Sequence, residues 1–192
     1  MENQTRRCGW VSADPIDIDY HDHEWGHVEK DSQKLFEQLC LEGQQAGLSW
    51  LTILKKRSEY RRCFYDFNPQ KMITITDIEA LLNNKGLIRH RLKLKAIIKN
   101  ASAYLAMQHH GEDFSNFIWQ FVDHQPIINH YCRLEDIPTR TPISEKMSKA
   151  LKQRGFAFVG PTTCYAFMQA MGLVNDHIVT CVSHPLSLKN GK

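Results

Sequence analysis

The chain carries the stretch LEGQQAGLSW at residues 41–50, directly after an apolar helical pattern. It brings a carboxylate, two amides, two glycines and an indole together within ten residues. Paired glycines are disfavoured inside a helix, because glycine loses the most backbone entropy when it is ordered. We therefore predict that one helix ends near Glu42 and that another begins near Ser49, whose hydroxyl suits an N-cap.

The bend between these two helices would present groups that recognise a flat, polar or cationic ring. An indole stacks on such a ring, a carboxylate accepts its N–H donors, and side-chain amides pair with its edges. Trp50, Glu42 and Gln45 are the residues that would do so. The alternative is an ordinary helix–helix turn with a buried tryptophan and a solvated glutamate, which is the commoner case for such a stretch alone.

Length and composition indicate one globular domain. A chain of 192 residues can bury one good core but is short for two full domains. The formal net charge of +3 permits a nucleic-acid partner without indicating one. The basic residues form three clusters at helical spacing, for which solvated helix faces are the simplest explanation. These clusters are Lys55, Lys56, Arg57, Arg61 and Arg62; Arg89, Arg91, Lys93, Lys95 and Lys99; and Lys149, Lys152 and Arg154.

The distribution of apolar residues leads us to expect neither a secretory leader nor a membrane span. The N-terminus lacks an apolar region, and no run approaches the roughly 18 apolar residues that a span requires. We therefore expect a non-secreted, cytoplasmic protein with no membrane partner.

The six cysteines are scattered, so most should be free thiols. Cys40, Cys63 and Cys164 lie within apolar helical patterns and fit the core.

From residue 31 onward the spacing of apolar residues predicts one helix after another. Asp31 or Ser32 would cap the first helix, and Asn68-Pro69 would close the region of the second. Ser144 would cap the last pair of helices. The other predictions are helices at 76–86, 89–111, 114–121, 144–154 and 161–171, and a surface loop at 125–143. No stretch alternates for long enough to predict a strand, so we predict an all-α fold in one compact unit or two lobes.

Residues 8–27 look irregular, and they hold two tryptophans, a tyrosine, a cysteine and three histidines. Asp14-Pro15 is a turn signal, and no amphipathic periodicity follows it. An irregular segment so rich in ligand-type side chains needs an anchor. A metal ion is one candidate.

His177 and Cys181 are four residues apart, so on a helix they would share a face and could chelate one ion. Cys8 and His21 could supply two further ligands from the N-terminal segment. Such a closed site would hold one structural Zn²⁺ and tie the two ends of the chain together. The competing histidines are His23, His27 and His184. The alternative is a satisfied core histidine beside a buried cysteine.

The stretch RGFAFVGPTT at residues 154–163 joins two predicted helices through a tight turn. Pro161 stands where the second helix should begin, and the exposed N–H groups of the turn could bind a phosphate. The stretch resembles the second half of a helix–hairpin–helix motif: Val159-Gly160 matches it, and Phe158 replaces an earlier glycine. The DNA contacts predicted here are Val159, Gly160 and Thr162.

The next stretch, VNDHI at residues 174–178, resembles the V-D-T-H-I of helix–hairpin–helix base-excision glycosylases. Asn175 stands where those enzymes carry a catalytic aspartate. Thr162 stands where bifunctional lyases carry a lysine, and threonine has no amine with which to form an imine. A Schiff-base lyase is therefore disfavoured.

Five stretches together resemble the 3-methyladenine DNA glycosylase I family, in the family's order and spacing. They are RCGWV at 7–11, YHDHEWG at 20–26, LEGQQAGLSW at 41–50, IRHR at 88–91 and the segment 154–177. The resemblance implies an all-α, two-lobed helix–hairpin–helix fold in a single domain over residues 1–192. It also implies a bacterial monomer whose partner is double-stranded alkylated DNA and whose product is free 3-methyladenine.

The resemblance also assigns the site residues. The implied ligands of one structural Zn²⁺ are Cys8, His21, His177 and Cys181, in agreement with the spacing argument. The implied pocket residues are Glu42, Tyr20 and Trp50, with Trp10, Trp25 and Gln45 near them. Leu48, beside Gly47 at the tip of the bend, would fill the gap left by a flipped nucleotide. Asp17 departs from the family pattern, because some relatives carry an aromatic residue there, and it bears on one wall of the pocket.

The chemistry implied is hydrolytic excision of 3-methyladenine in base excision repair. N3-methylation gives the purine a positive charge and weakens its bond to deoxyribose, so the base leaves neutral and needs no strong general acid. Glu42, the candidate catalytic residue, would accept N–H donors on the base edge and serve selectivity more than rate, because binding the cation too well opposes its neutralisation. Two other classes stay open: a non-catalytic zinc-stabilised module that binds damaged DNA, and a monofunctional glycosylase for another lesion.

Overall fold

The computed structural model describes residues 6–190, and the first residues of the chain, on which the expectation of a non-secreted protein rests, lie outside this range. The described chain is mostly helical. Its α-helices are α1 (Pro15–His23), α2 (Ser32–Gln45), α3 (Trp50–Cys63), α4 (Pro69–Met72), α5 (Ile78–Asn83), α6 (Arg91–His109), α7 (Phe114–Trp119), α8 (Pro142–Gln153), α9 (Pro161–Ala170) and α10 (Pro185–Asn190). Short 3₁₀ turns lie at Tyr65–Phe67, Gln120–Val122 and Leu134–Asp136.

The main core is built around α2, which packs against α3, α6, α7 and α9. The apolar residues of α2 recur at helical spacing, and Leu35, Phe36 and Leu39 are fully buried. The carboxylate of Asp31 accepts a hydrogen bond from the Lys34 N–H and caps the helix. Both the apolar pattern and this cap confirm the prediction for α2.

A second, smaller hydrophobic cluster brings the two ends of the chain together. Cys8, Tyr20 and Trp25 from the N-terminal segment pack in it with Ile178 and Cys181 from the C-terminal segment. The Val182 N–H also donates to the Arg6 carbonyl, over 2.9 Å. This cluster forms one side of the cavity described below.

The prediction that a helix ends near Glu42 is wrong, because α2 continues through Gly43 to Gln45. A Cβ atom at Gly43 would lie 3.1 Å from the Phe158 Cβ and 3.2 Å from the Phe158 carbonyl oxygen. Glycine is needed here so that the turn before α9 can approach α2, and not to end the helix. The predicted start of α3 is confirmed, since the Ser49 hydroxyl accepts from the Thr52 N–H.

The prediction of an irregular N-terminal segment is wrong for α1. Asp14 caps this helix by accepting from the Ile16 N–H, and Pro15 occupies its first turn. A dipeptide that can signal a turn is therefore a helix start here. The helix lacks amphipathic periodicity because its buried residues include Asp17, Tyr20 and His21.

Several other predicted boundaries shift because a neighbouring side chain makes the cap. Asn68 begins α4 rather than closing a region, and Asp77 caps α5, which ends at Asn83 before reaching Gly86. His90 caps α6, which begins at Arg91, two residues after the predicted start near Arg89. Gly111 follows α6 with a φ of 76°, which confirms the predicted end of that helix.

The interval 125–143 is not wholly a loop. Its strand β1 (Ile127–Ile128) pairs in parallel with β2 (Val174–Asn175), so the described chain contains a small strand pair that the sequence did not predict. Thr141, not Ser144, caps α8, and Ser144 completes a capping box with it. The strand pair is so short that periodicity could not reveal it.

The basic clusters are only partly solvated helix faces. Arg57 pairs with Glu24 over 2.6 Å, and Lys93 is buried. The Lys93 ammonium donates to the carbonyl oxygens of Gln44 and Ala46, which closes the C-terminal end of α2. Burial lowers the pKa of Lys93.

Within residues 6–190, no helix combines the length and apolar character that a bilayer crossing requires.

The three cysteines predicted for the core divide into two kinds. Cys40 and Cys164 are buried, as predicted. Cys63 is only half-buried, because it lies at the end of α3 beside the half-buried polar residues Glu59 and Asn84. The structure therefore confirms two of the three assignments.

Candidate active site and metal centre

A cavity of about 640 Å³, which we call the pocket, opens between α1, the α2–α3 bend, α9 and the segment after β1. The aromatic residues of the N-terminal segment meet the bend at residues 41–50 in this pocket. The predicted site residues that line it are Trp10, Tyr20, Trp25, Glu42, Gln45, Trp50 and Thr162. The other lining residues are Ser12, Asp17, Ser49, Leu51, Leu134, Ile137, Pro138, Thr139, Tyr165, Ala166 and Gln169.

Glu42 lies in the pocket wall near the end of α2 and is only 5% exposed. One carboxyl oxygen accepts a hydrogen bond from the Gln38 side-chain amide over 2.8 Å. Burial raises the pKa of Glu42 to about 8, and the Gln38 contact opposes this only in part. The carboxyl therefore holds a proton near neutral pH in the free pocket, and a cation bound beside it would favour its ionised form.

Tyr20 and Trp50 form an aromatic corner beside Glu42. Their ring centroids lie 5.4 Å apart at 44°. Burial raises the pKa of Tyr20 well above its ordinary value, so the phenol stays neutral. The Trp50 indole N–H is buried and finds no acceptor among the described residues. A buried donor without a partner costs roughly 1–3 kcal/mol, which a bound ligand or water can offset.

Trp10 and Trp25 form a second aromatic pair in the pocket wall, with centroids 5.1 Å apart in an edge-to-face arrangement. Trp25 also lies edge-to-face on the His177 ring, at 4.6 Å. This wall of the pocket therefore rests directly on the histidine and cysteine residues of the chain ends.

Those residues form a compact cluster, which we call the clasp: Cys8, His21, His177 and Cys181. Their ligand atoms all lie within 4.8 Å of one another, and all four residues are buried. The Cys181 sulfur lies 3.4 Å from His21 Nε2 and 3.5 Å from His177 Nδ1. The Cys8 sulfur lies 3.6 Å from the same His177 nitrogen.

These separations fit a tetrahedral metal ion. Zinc, at about 2.3 Å from sulfur and about 2.0–2.1 Å from nitrogen, sets tetrahedral sulfur–nitrogen edges of about 3.6 Å. The contacts with Cys8 and the two histidines lower the pKa of Cys181, whereas the pKa of Cys8 is raised by its contact with Cys181 and by burial. Two sulfurs and two imidazoles are a donor set that zinc prefers.

Both clasp histidines are held in place by a second hydrogen bond. His21 Nδ1 lies 2.7 Å from an Asp22 carboxylate oxygen, and the Arg7 guanidinium binds the same carboxylate over 2.7 to 3.0 Å. The Arg7 contact lowers the pKa of Asp22 to about 2. His177 Nε2 lies 3.1 Å from the Trp25 carbonyl oxygen. Such contacts orient imidazole ligands toward a metal.

His177 and Cys181 do not lie on a helix, so that prediction is wrong, although the two side chains do meet. The chain between them forms a turn outside the described helices, closed by a hydrogen bond from the Cys181 N–H to the Ile178 carbonyl. The competing histidines take no part in the cluster. His23 and His27 are exposed, and His184 is buried against the Asn129 carbonyl oxygen.

The predicted DNA-contacting residues lie in two places. Leu48 is 40% exposed at the tip of the α2–α3 bend, next to Gly47, which has a φ of 79°. The other predicted contacts, Val159, Gly160 and Thr162, lie at the turn between α8 and α9. Gly160 is the N-cap residue of α9. The Val159 side chain is buried, so only its backbone is available for contact. Thr162 is exposed and reaches the pocket.

The Phe158 backbone takes up the conformation that a glycine would favour, with a φ of 57°. This is the position where the sequence has a phenylalanine in place of the motif's glycine. Lys149 and Lys152 of α8 lie in a groove with Pro161, next to the start of α9. The groove, which Glu145 also lines, therefore places two ammonium groups beside the N-terminal end of a helix.

The sequence reasoning missed Asp176, Tyr165 and Gln169. The buried Asp176 carboxylate accepts hydrogen bonds from the Tyr165 hydroxyl and the Gln169 amide, over 2.6 and 2.8 Å. It also accepts from the Asn129 amide, over 2.7 Å. The spacing of Thr162, Tyr165 and Gln169 on α9 could have revealed a polar helical face directed to one site. Asn175 does not line the pocket.

Comparison with known proteins agrees with this site. Residues 10–184 match the model of the methyladenine glycosylase family. The chain is 62% identical over 179 residues to the DNA-3-methyladenine glycosylase of Haemophilus influenzae, covering 92% of this chain and 97% of the relative. A crystal structure of 3-methyladenine DNA glycosylase I (TAG) superposes with a TM-score of 0.93 at 59% identity, covering 94% of this chain and 100% of the other.

A further solved structure has a bound base. A variant of 3-methyladenine DNA glycosylase I (TAG) in complex with 3-methyladenine superposes with a TM-score of 0.88 at 42% identity, covering 93% of this chain and 97% of that one. A helical fold with an acidic, aromatic pocket and these matches defines a class of base-excising glycosylases. The chain belongs to the methyladenine glycosylase family.

Proposed function

We propose that this protein excises 3-methyladenine from alkylated DNA by hydrolysis of the bond between base and sugar. The observation that carries the proposal is the pocket, where two pairs of aromatic rings and the buried carboxyl group of Glu42 line one cavity. Such a pocket admits a planar purine and offers it stacking surfaces and a hydrogen-bonding edge. The relative with 3-methyladenine bound supports the same base for this pocket.

Recognition would begin with the flipped base stacked against Tyr20 and Trp50. Glu42 would then accept N–H donors of the base, and the positive charge of the methylated ring would favour its ionised form. Because the ring becomes neutral as it leaves, a carboxylate that stabilises the cation acts mainly on binding and selection. Labile N3-methylated purines need less help at the leaving group than ordinary bases do.

DNA binding is proposed for the turn between α8 and α9, as a helix–hairpin–helix motif. The exposed N–H groups at the start of α9 and the ammonium groups of Lys149 and Lys152 would bind backbone phosphates. Contacts of this kind give affinity without sequence preference. Leu48 would occupy the space that the flipped nucleotide leaves. Thr162 stands where a lyase would need an amine, so we propose excision without strand cleavage.

We further propose that the clasp holds one structural Zn²⁺ in a single domain of two lobes over residues 1–192. Four protein ligands leave no open position on a tetrahedral ion, so the metal would supply cross-linking of the chain ends and no reaction chemistry. Cys8 and His21 would hold it from one end of the chain, and His177 and Cys181 from the other. We expect the protein to act as a monomer in the bacterial cytoplasm.

Release of free bases tests the proposed function. Duplex DNA treated with a methylating agent is incubated with the zinc-loaded protein, and the released bases are separated by chromatography. We expect 3-methyladenine to be released while 7-methylguanine stays in the DNA, and we expect no strand breaks beyond those from abasic-site breakdown. A folded protein that binds this DNA and releases no base would instead be a binding module, and release of a different base would assign another lesion.

A further inference from the structure

The charged residues of the pocket wall are all acidic. Among the described residues that line it, the only ones with ionisable acidic or basic side chains besides the tyrosines are Asp17 and Glu42, and none is Lys, Arg or His. The chain as a whole carries a formal net charge of +3. A locally acidic cavity in a basic protein is a feature that the general affinity for DNA does not explain.

Asp17 is fixed in this wall by its place on α1. It lies in the first turn of the helix and is 4% exposed. One of its carboxylate oxygens accepts a hydrogen bond from the Ser12 N–H over 2.8 Å. A negative charge near a helix N-terminus is favourable, so neither the charge nor the geometry needs a cationic side chain.

Asp17 lines the pocket, and part of its hydrogen-bonding capacity is unused among the described residues. Its second carboxylate oxygen makes no hydrogen bond with any described residue, and it is not one of the buried atoms cut off from solvent. No described Lys, Arg or His forms an ion pair with Asp17 either; the nearby Lys55 pairs with Asp14 instead. The charge of this carboxylate is therefore available to a ligand.

Glu42 alone does not give the free pocket a full negative charge, since burial raises its pKa to about 8. Asp17 is a second carboxylate in the same pocket, and a backbone N–H binds it in the first turn of α1. The two acids therefore have different roles. Glu42 pairs with the base edge and itself loses a proton when the cation binds, whereas Asp17 contributes negative potential to the cavity.

We propose that Asp17 is a second anionic selectivity residue of the pocket, which favours purines that carry a positive charge over neutral purines of the same shape. This inference rests on the proposed function. It predicts that Asp17 strengthens binding of the charged substrate base more than binding of the neutral product, so that it does not hold the product in the pocket. In kinetic terms Asp17 lowers KM, and it does not raise kcat, because the ring loses its charge in the transition state.

The test compares two ligands that differ in charge. The cationic probe is 3,9-dimethyladeninium, in which a methyl group replaces the sugar and the ring keeps its charge at neutral pH; the neutral probe is 3-methyladenine. Binding is followed by tryptophan fluorescence with the zinc-loaded wild type, Asp17→Asn and Asp17→Glu. Asparagine keeps an oxygen for the Ser12 N–H, so the loop remains anchored. The control is Asp19→Asn, whose side chain is exposed on the same helix and pairs with His23.

For Asp17→Asn we expect binding of the cationic probe to weaken by about tenfold and binding of 3-methyladenine to change by less than about twofold. The Asp17→Glu variant should keep most of the preference, and Asp19→Asn should match the wild type. Equal losses for both probes would show that Asp17 is only a structural part of the wall, and no loss for either would show that its charge is not used. If the wild type itself binds neither probe and releases no base, the proposed function fails; a normal wild type with an unaffected Asp17→Asn overturns only this inference.

Discussion

The clasp and the pocket are neighbouring buried clusters of ionisable groups, and they differ in how much of their hydrogen-bonding capacity is left unused. In the clasp, each ligand atom lies against others at 3.4 to 3.6 Å, and both histidines have a further partner outside the cluster. In the pocket, Glu42 has a single partner, and the Trp50 N–H has none among the described residues. A cluster that closes on itself holds the fold together, whereas a cluster with open hydrogen-bonding capacity is suited to a ligand.

The contact between Trp25 and His177 joins the two clusters, since one wall of the pocket is packed on a clasp imidazole. This arrangement makes the clasp a support for the pocket without making it part of the chemistry. Disruption of the clasp should therefore affect stability first and activity second, and disruption of the pocket should do the reverse.

The largest effect is expected for Cys181→Ser. Loss of one thiolate should abolish stoichiometric zinc binding and lower Tm by roughly 10 °C, the range expected when a structural metal is lost from a domain of this size. Zinc content by mass spectrometry and Tm by calorimetry are the measurements. The matched control is Cys164→Ser, a buried thiol outside the clasp whose contact with the Val159 carbonyl a hydroxyl can keep. Full zinc retention in Cys181→Ser would rule out the assigned ligands.

A smaller and more selective effect is expected for Glu42→Gln. The amide keeps an acceptor for Gln38 but cannot ionise. The kcat/KM for excision of 3-methyladenine should therefore fall by about 10- to 100-fold, as for loss of a hydrogen bond to a charged group. Binding to undamaged duplex DNA, measured by fluorescence anisotropy, should stay within about twofold. Glu37→Gln, on the same helix but paired with Arg61 outside the pocket, is the control. Equal losses of excision and of DNA binding would contradict the separate roles of pocket and hairpin.

Local signals made part of this fold predictable. The caps at Asp31 and Ser49 depend on a side chain bonding to a backbone N–H three residues later, and both were predicted correctly. The role of Gly43 inside α2 was not predicted, because glycine is needed there to leave room for the Phe158 backbone, which is remote in sequence. The helix α1 was missed because it buries Asp17 and other polar residues, and only the pocket and the clasp make that burial favourable.

The candidate site was predictable to a similar degree. The bend at residues 41–50 revealed its chemistry through its residue types, and the clasp residues were named from their chemistry and from the family resemblance. The spacing argument for His177 and Cys181 reached a pair that does meet, but through a turn rather than a helix. Asp176 was missed because a buried carboxylate that orients Tyr165 and Gln169 has no local sequence signature.

The indole N–H resonances of the four tryptophans test the central difference between an open pocket and a closed core most directly. Trp10, Trp25 and Trp50 line the pocket, and Trp119 is buried in the main core with its N–H bonded to the Glu29 carbonyl oxygen over 2.9 Å. In a two-dimensional ¹⁵N spectrum titrated with 3-methyladenine, the three pocket indoles should shift, Trp50 most of all, while Trp119 stays in place. A shift of Trp119 as large as that of Trp50, or no shift of any pocket indole, would contradict the account.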